Sequence, residues 1–133
     1  MDPWPKKLSA ITLFAEDLPA TRAFYADVFA VRLIFEDPNS AVFDFGNTLI
    51  NLLDVAAVPE LIEPATIGDP AGGPRAVMTL DVDDVDAVVA EITSRGVELL
   101  NGPMDRPWGI RTASFRDPAG HLWEVAGPVR PAG

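Results

Sequence analysis

The sequence has no cysteine, a single histidine at His121 and far fewer basic than acidic residues. Without cysteine the chain has no disulfide, no thiolate metal ligand and no cysteine nucleophile. Its 10 Lys and Arg against 20 Asp and Glu give a formal net charge of −10. Such a charge disfavours a nucleic-acid partner, because affinity for a phosphate backbone depends on clustered basic side chains.

Long apolar runs are also missing. No window approaches the roughly 18 uninterrupted apolar residues of a membrane span, and the opening MDPWPKK has no apolar run behind its lysines. We therefore expect a cytoplasmic protein with no membrane partner. The length of 133 residues and the apolar content of 48% are typical of one domain that buries its own core.

Two segments share a strand-then-helix pattern. LSAITLFA precedes EDLPATRAFYADVF in the first half, and AVMTLDV precedes DDVDAVVAEITSRG in the second. Asp17 and Asp84 are placed to cap the two helices, and Gly96 is placed for the left-handed residue that ends the second helix. The segments match at a shift of 67 residues, which indicates an internal repeat.

Three short strand candidates follow each helix. They are residues 31–36, 41–45 and 48–53, then residues 97–100, 110–115 and 122–126. The pattern predicts an α+β fold of paired βαβββ modules that form a curved mixed sheet around a cleft. We expect a single domain over residues 1–133, with modules at about 8–54 and 76–128 and a linker at about 55–75. The four prolines and three glycines of the linker predict an irregular connection.

The chain also resembles a known family. ITLFAEDLPATRAFYADVFAVRL is similar to the opening strand, Asp-Leu turn and FY-containing helix of the vicinal oxygen chelate family, also called the glyoxalase/bleomycin-resistance family. PWGIRTASFRDPAGHLWEVAG resembles the final hairpin of many members. The resemblance covers nearly the whole chain and implies a homodimer with a cleft for a small organic ligand.

The resemblance also implies where a metal would bind. Metal-dependent members hold a divalent ion with one residue from the first strand and one from the last strand of each module, usually His, Glu or Gln. These positions fall here on Ala10, Asn51, Val77 and Glu124. Alanine and valine offer no lone pair, and an amide binds divalent metals weakly, so only Glu124 keeps a typical ligand. We therefore predict no metal site and no other cofactor.

The role of Glu124 stays open between two interpretations. The residue acts as a general acid or base or contacts a cationic ligand group, or it is structural and pairs with Arg111 or reaches water. His121 lies in a turn, and strand alternation puts it on the opposite face from Glu124, which disfavours a catalytic role. Trp123 is expected to pack under a helix or in a dimer contact.

Trp108 and Arg111 are candidates for ligand contact, because Trp and Arg commonly stack on planar ligands at a cleft rim. Thr12 and Phe14 share strand parity with Ala10 and are expected to line the cleft. The predicted ligand-binding residues are Thr12, Phe14, Asn51, Trp108, Arg111 and Glu124.

Three functions are compatible with these residues. We favour a homodimer that binds a small organic molecule without a catalytic metal. The first alternative is a metal-independent enzyme in which Glu124 is the catalytic acid or base. The second is a metal-dependent lyase or dioxygenase, which Ala10 and Val77 disfavour. The sequence contains no nucleophile elbow, phosphate loop or dinucleotide fingerprint.

Overall fold

A computed structural model describes residue 3 and residues 5–129 of the chain. The chain divides into two compact units, with the boundary between Ile67 and Gly68. Each unit has the βαβββ order that the sequence predicts, so the α+β class is confirmed. Within the described ranges, no helix has the length and hydropathy that crossing a membrane requires.

Unit 1 builds a four-stranded mixed sheet, sheet 1. Its elements are β1 (Ala10–Ala15), α1 (Leu18–Phe24), a π-helical turn (Tyr25–Phe29), β2 (Arg32–Asp37), β3 (Ser40–Asp44) and β4 (Leu49–Asp54). The strand order is β1-β4-β3-β2, and only β1 and β4 run parallel. The Asp17 side chain caps α1 by accepting a hydrogen bond of 3.1 Å from the backbone of Ala20, as predicted.

The core of unit 1 lies between α1 and one face of sheet 1. Leu13, Phe43 and Ile50 point to this side from three strands and are at most 9% exposed. Tyr25 is fully buried, and its ring centroid is 5.6 Å from that of Phe43. Burying side chains of this size contributes about 1.5–3 kcal/mol each, so this face supplies the stability of the unit.

The prediction of a wholly irregular linker is wrong in part. Val55–Ala57 forms a 3-10 turn, α2 spans Val58–Ile62, and a second 3-10 turn covers Pro70–Gly72. Proline does not prevent α2, because Pro59 lies in the first turn, where its missing N–H would have no helical partner. The Asp54 side chain starts the first turn by accepting a hydrogen bond from the backbone of Ala56.

Unit 2 repeats the arrangement as sheet 2. Its elements are β5 (Val77–Asp81), α3 (Val85–Ser94), β6 (Leu99–Asp105), β7 (Ile110–Arg116) and β8 (Leu122–Pro128). The strand order is β5-β8-β7-β6, with β5 and β8 parallel. The Asp84 side chain caps α3 through the backbone of Ala87, and Gly96 follows the helix with a φ of 92°, as predicted.

The strand β6 is longer and more irregular than the sequence predicts. It continues past residue 100 to Asp105, with a register shift between Asn101 and Met104. Gly102 lies in this bulge with a φ of 85°, and a Cβ there would be 2.4 Å from the carbonyl oxygen of Thr112. Glycine at this position therefore lets two strands approach closely where a Gly-Pro pair suggests a chain break.

The core of unit 2 lies under α3. Val85, Val89 and Ile92 are buried on the helix, and Phe115 and Trp123 are buried opposite each other on neighbouring strands. Trp123 is 2% exposed, which agrees with the prediction that it packs under a helix.

Candidate functional site

Each sheet has a second face, which points away from the helix of its own unit, and we call it the distal face. Side chains alternate along a strand, so residues next to the core residues belong to it. The central row of the distal face of sheet 1 follows from the strand register. It consists of Thr12, Asn51, Val42 and Phe35, each directly opposite the next.

The distal face of sheet 1 is mostly apolar with one amide in its centre. Asn51 Nδ2 donates to Thr12 Oγ1 at 3.4 Å, and Asn51 Oδ1 is buried without a hydrogen-bond partner among the residues that the structure describes. Phe14 lies one row further along, opposite Leu53. The structure thus brings three predicted residues, Thr12, Phe14 and Asn51, to the same face.

The equivalent row of sheet 2 is polar throughout. It consists of Thr79, Glu124, Ser114 and Asn101, again each opposite the next. Thr79 Oγ1 donates to Glu124 Oε1 at 3.1 Å. Thr12 and Thr79 match in the sequence repeat, and each pairs with the last strand of its unit, so Asn51 and Glu124 occupy equivalent positions.

Arg106 reaches the distal face of sheet 2 from the turn between β6 and β7. Its Nε donates to Thr112 Oγ1 at 2.8 Å, and Nη2 is 3.5 Å from Asn101 Oδ1. Thr112 is fully buried and lies two residues before Ser114, on the same side of β7. The hydroxyl of Thr112 therefore holds the guanidinium over the polar row.

The exposed ring of Trp108 lies beside this guanidinium. The ring is 67% exposed, and its centroid is 5.7 Å from Arg106 Cζ, within the range of a cation–π contact. Sequence reasoning predicted Trp108 but missed Arg106, because a tight turn folds Arg106 back onto the sheet. The one local signal was the turn-forming Gly109 close behind it.

Glu124 and Arg106 carry opposite charges on one face, and neither forms an ion pair with any of the described residues. Both are held by neutral side chains instead. Thr112 and Glu124 are diagonal neighbours on adjacent strands, a relation that places their backbones about 7–8 Å apart. Asp81 and Arg116 are exposed on the rim of the same face.

Arg111, predicted as a ligand contact, points to the other face of sheet 2. Its Nη1 donates to Asp105 Oδ1 at 2.9 Å and its Nε to Asp86 Oδ1, at the start of α3, at 3.0 Å. Hydrogen bonds to Asp105 and then Asp86 raise the pKa of Arg111 above its usual range. The pairing with Glu124 that the sequence allowed is not formed, because strand alternation separates the two side chains.

His121 has a role in the turn before β8. Its backbone N–H donates to Asp117 Oδ1 at 2.9 Å, and its carbonyl accepts from the Asp117 N–H at 3.0 Å. Asp117 is 4% exposed, so these bonds anchor the turn to the buried part of the unit. This placement agrees with the expectation that His121 is a turn residue.

The side chains at the implied metal positions do not fit a divalent ion. Ala10 lies opposite Leu49 and Val77 opposite Leu122, and none of these four carries a donor atom. In the described part of the chain, no three His, Asp or Glu side chains come together in a group that could hold a metal. Within each unit the implied pair of positions supplies one oxygen ligand, and a structural or catalytic site needs at least about three protein ligands.

Comparisons with known proteins identify relatives of this chain. The profile of the Glyoxalase/Bleomycin resistance protein/Dioxygenase superfamily matches residues 7–125. The uncharacterized protein YraH of Bacillus subtilis (strain 168) is 31% identical over 124 residues, which cover 90% of this chain and 96% of YraH.

Two solved structures share the fold. A glyoxalase/bleomycin resistance protein/dioxygenase from Nocardioides is similar with a TM-score of 0.84 and 23% identity, over 98% of this chain and 89% of that one. Lactoylglutathione lyase from Agrobacterium tumefaciens has a TM-score of 0.75 and 25% identity, over 92% and 94% of the two chains. The family resemblance carried by the sequence motifs is thereby confirmed. The chain belongs to the Glyoxalase/Bleomycin resistance protein/Dioxygenase superfamily.

Proposed function

We propose that the chain binds a small organic molecule on the distal face of sheet 2, without a resident catalytic metal. The observation that carries this proposal is the polar row of Thr79, Glu124, Ser114 and Asn101. A sheet needs only one apolar face for its core, and the α3 side supplies that face here. Thr79, Glu124 and Asn101 of the polar row are therefore available for recognition, whereas Ser114 is 5% exposed.

The polar groups of this row keep hydrogen-bonding capacity. Within residues 5–129, Glu124 accepts a single hydrogen bond, from Thr79, although a carboxylate has two oxygens with several lone pairs. Glu124 lies on β8, whose other face is packed through Trp123 and Val125, and Thr79 is paired with it on the neighbouring strand β5. A site built on rigid strands orients a ligand better than one built on loops. The exposed ring of Trp108 offers a surface on which a planar part of the ligand can stack.

The side chains at the implied metal positions support ligand binding rather than the lyase reaction for which one relative is named. The Agrobacterium structure is called a lactoylglutathione lyase. Lewis-acid catalysis of that kind requires a metal held by several protein ligands, and Ala10 and Val77 provide none. We therefore extend the fold of this relative to the chain, and not its reaction.

The proposal includes a homodimer in the cytoplasm. The edge strand β2 supports self-association, because Ile34 and Phe35 on it are 42% and 54% exposed. The absence of cysteine is compatible with a reducing compartment. Sedimentation velocity over a range of concentrations tests the dimer, and a chain that stays monomeric at high concentration contradicts it.

Binding is tested by titrating ¹⁵N-labelled protein with a library of small organic fragments. We expect shifts of the backbone amides of Thr79, Ser114 and Asn101, and weaker binding to Glu124→Gln by about tenfold, as expected for one charge-assisted hydrogen bond. Glu91→Gln, which changes an exposed carboxylate on α3, is the control. Fragments that bind only elsewhere, or equal affinity for both variants, would contradict the proposal.

Metal-independent acid–base catalysis is a second candidate. It is favoured by the Thr79 hydrogen bond, which fixes one oxygen of Glu124 and leaves the other for proton transfer. The test is exchange of deuterium from solvent into carbon acids bound at the site, followed by proton NMR. Exchange that is lost in Glu124→Gln supports this candidate, and identical exchange in both proteins excludes it.

A further inference from the structure

We infer that the ligand is a small zwitterion, with a cationic group at Glu124 and an anionic group at Arg106. This inference rests on the proposed function and names the ligand class of the same site. It follows from two opposite charges that share one face of sheet 2 and are held by neutral side chains.

The surroundings of the Glu124 carboxylate suit a cationic group of a ligand. Its Oε1 accepts from Thr79 at 3.1 Å, and in the residues that the structure describes it has no cationic partner. The carboxylate is half-buried, so a partner that donates charge-assisted hydrogen bonds would offset the loss of water. An ammonium or amidinium group of a ligand supplies such donors.

The surroundings of the Arg106 guanidinium suit an anionic group of a ligand. The bond from Nε to Thr112 and the contact of Nη2 with Asn101 fix the plane of the guanidinium and leave further N–H donors unused. The planar fork of donors matches the two oxygens of a carboxylate, and the same geometry suits a sulfonate or phosphate. Trp108 covers the guanidinium on one side without neutralising its charge.

The spacing of the two charges favours a ligand that carries both. Thr112, which anchors the guanidinium, is a diagonal neighbour of Glu124 at a backbone distance of about 7–8 Å. A molecule with its two charged groups a few bonds apart can contact both side chains. A singly charged ligand would leave Glu124 or Arg106 partly desolvated without a partner, which lowers its affinity.

Sheet 1 shows that the fold does not need these charges. The positions opposite Asn51 in its central row are Val42 and then Phe35, where sheet 2 has Ser114 and Asn101. The same strand order is therefore compatible with apolar side chains at two positions of the row. The charge of Glu124 and the polar side chains of Ser114 and Asn101 thus have no counterpart at the matching positions of sheet 1, which supports a role in recognition.

The test compares three probes with the same carbon chain: 4-aminobutyrate, butyrate and butylamine. Calorimetric titration is expected to show 4-aminobutyrate binding at least about tenfold more tightly than either singly charged probe. In Glu124→Gln the zwitterion should lose its advantage over butyrate, and in Arg106→Gln its advantage over butylamine. Amide shifts at Thr79 and Ser114 must accompany binding.

Two charge changes on the rim of the same face are matched controls. Asp81→Asn removes an exposed negative charge and is the control for Glu124, and Arg116→Gln removes an exposed positive charge and is the control for Arg106. Neither change removes a hydrogen bond that the structure describes. Both are expected to keep the ranking of the three probes. Amide spectra and melting temperatures of all variants establish that they fold, and Arg106→Lys, which keeps the charge and loses the planar fork, should bind with intermediate affinity.

Each other result overturns the zwitterion inference. Equal affinity for the three probes, or tighter binding of butyrate or butylamine alone, assigns a different ligand class. If none of the three binds but other organic fragments shift the amides of the polar row, the inference fails and the proposed function stands. If no fragment shifts those amides, both fail.

Discussion

Thr79 and Glu124 face each other on parallel strands, and the threonine hydroxyl donates to the carboxylate at 3.1 Å. Thr12 and Asn51 occupy the same register in sheet 1, where the amide donates to the hydroxyl at 3.4 Å. The two units therefore use one backbone arrangement to hold two different polar groups. Of the two groups, only the carboxylate carries a negative charge, so a proposed cationic group of a ligand has its charged partner in sheet 2.

The first prediction concerns the Thr79 hydroxyl. Thr79→Val keeps the β-branched shape and removes the donor, so the carboxylate of Glu124 loses its orientation. We expect affinity for 4-aminobutyrate to fall several-fold, with a change in the free energy of unfolding within about 1.5 kcal/mol. Thr12→Val, which changes the equivalent hydroxyl of sheet 1, is the control. An equal loss of affinity in both variants, measured by calorimetry, would contradict the assignment to sheet 2.

The second prediction separates Arg111 from ligand binding. Arg111→Met leaves Asp86 and Asp105 without their shared cation, so the melting temperature should fall. Binding at Glu124 should not change, because Arg111 lies on the α3 side of the sheet. Arg95→Met removes an exposed pair with Glu91 and should lower the melting temperature less. Loss of binding in a folded Arg111→Met protein would contradict this prediction and show that Arg111 contributes to ligand binding.

The third prediction concerns acid stability at the turn between β2 and β3. The backbone N–H of Asn39 and the hydroxyl of Ser40 donate to Asp37, and together they lower the pKa of its carboxyl. A carboxyl whose pKa is lower in the folded state stabilises the protein above its ordinary pKa of about 3.9, and this contribution disappears as the pH falls through the lowered value.

Asp37→Asn should therefore lower the free energy of unfolding at neutral pH, and the difference from the unmodified protein should shrink in strong acid. Urea titrations at a series of pH values measure it. Asp83→Asn removes an exposed carboxylate that accepts no hydrogen bond from the described residues and serves as the control for lost charge. A difference that is constant over the whole pH range would exclude a lowered pKa at Asp37.

The fourth prediction concerns metal. Protein incubated with zinc, nickel, manganese or iron and then dialysed should retain far less than one equivalent, because Ala10 and Val77 provide no donor. Lactoylglutathione lyase turnover should be absent with each metal. Elemental analysis and an activity assay check both statements. A stoichiometric metal, or turnover that depends on added metal, would contradict this prediction and group the chain with the metal-dependent members of its family.

Local signals predicted the fold well. The helix caps at Asp17 and Asp84, the terminating Gly96 and the alternation along the strands depend on residues close in sequence, and the structure agrees with them. Strand β6 was predicted too short, because Gly102 and Pro103 look like a chain break, and only contact with the neighbouring strand shows that they form a bulge.

The site was less accessible to sequence reasoning. Parity correctly placed Thr12 and Phe14 on one face, since alternation is a local property, and the family resemblance placed Asn51 on the same face. Parity could not identify Arg106, whose position depends on a turn and on the buried hydroxyl of Thr112. The placement of Arg111 could not be read from the sequence, because its two partners lie on other elements, at the start of α3 and at the end of β6.

The two apolar residues in the central row of sheet 1, Val42 and Phe35, have a consequence for how the ligand class of this chain can change. Sheet 1 has the same strand order with Val42 and Phe35 where sheet 2 has Ser114 and Asn101, so this architecture accommodates either apolar or polar side chains at the two positions. Each unit of the duplicated fold thus shows which other side chains the matching positions of the other unit can accommodate. Recognition can diversify through a few substitutions on the distal face while the architecture stays constant.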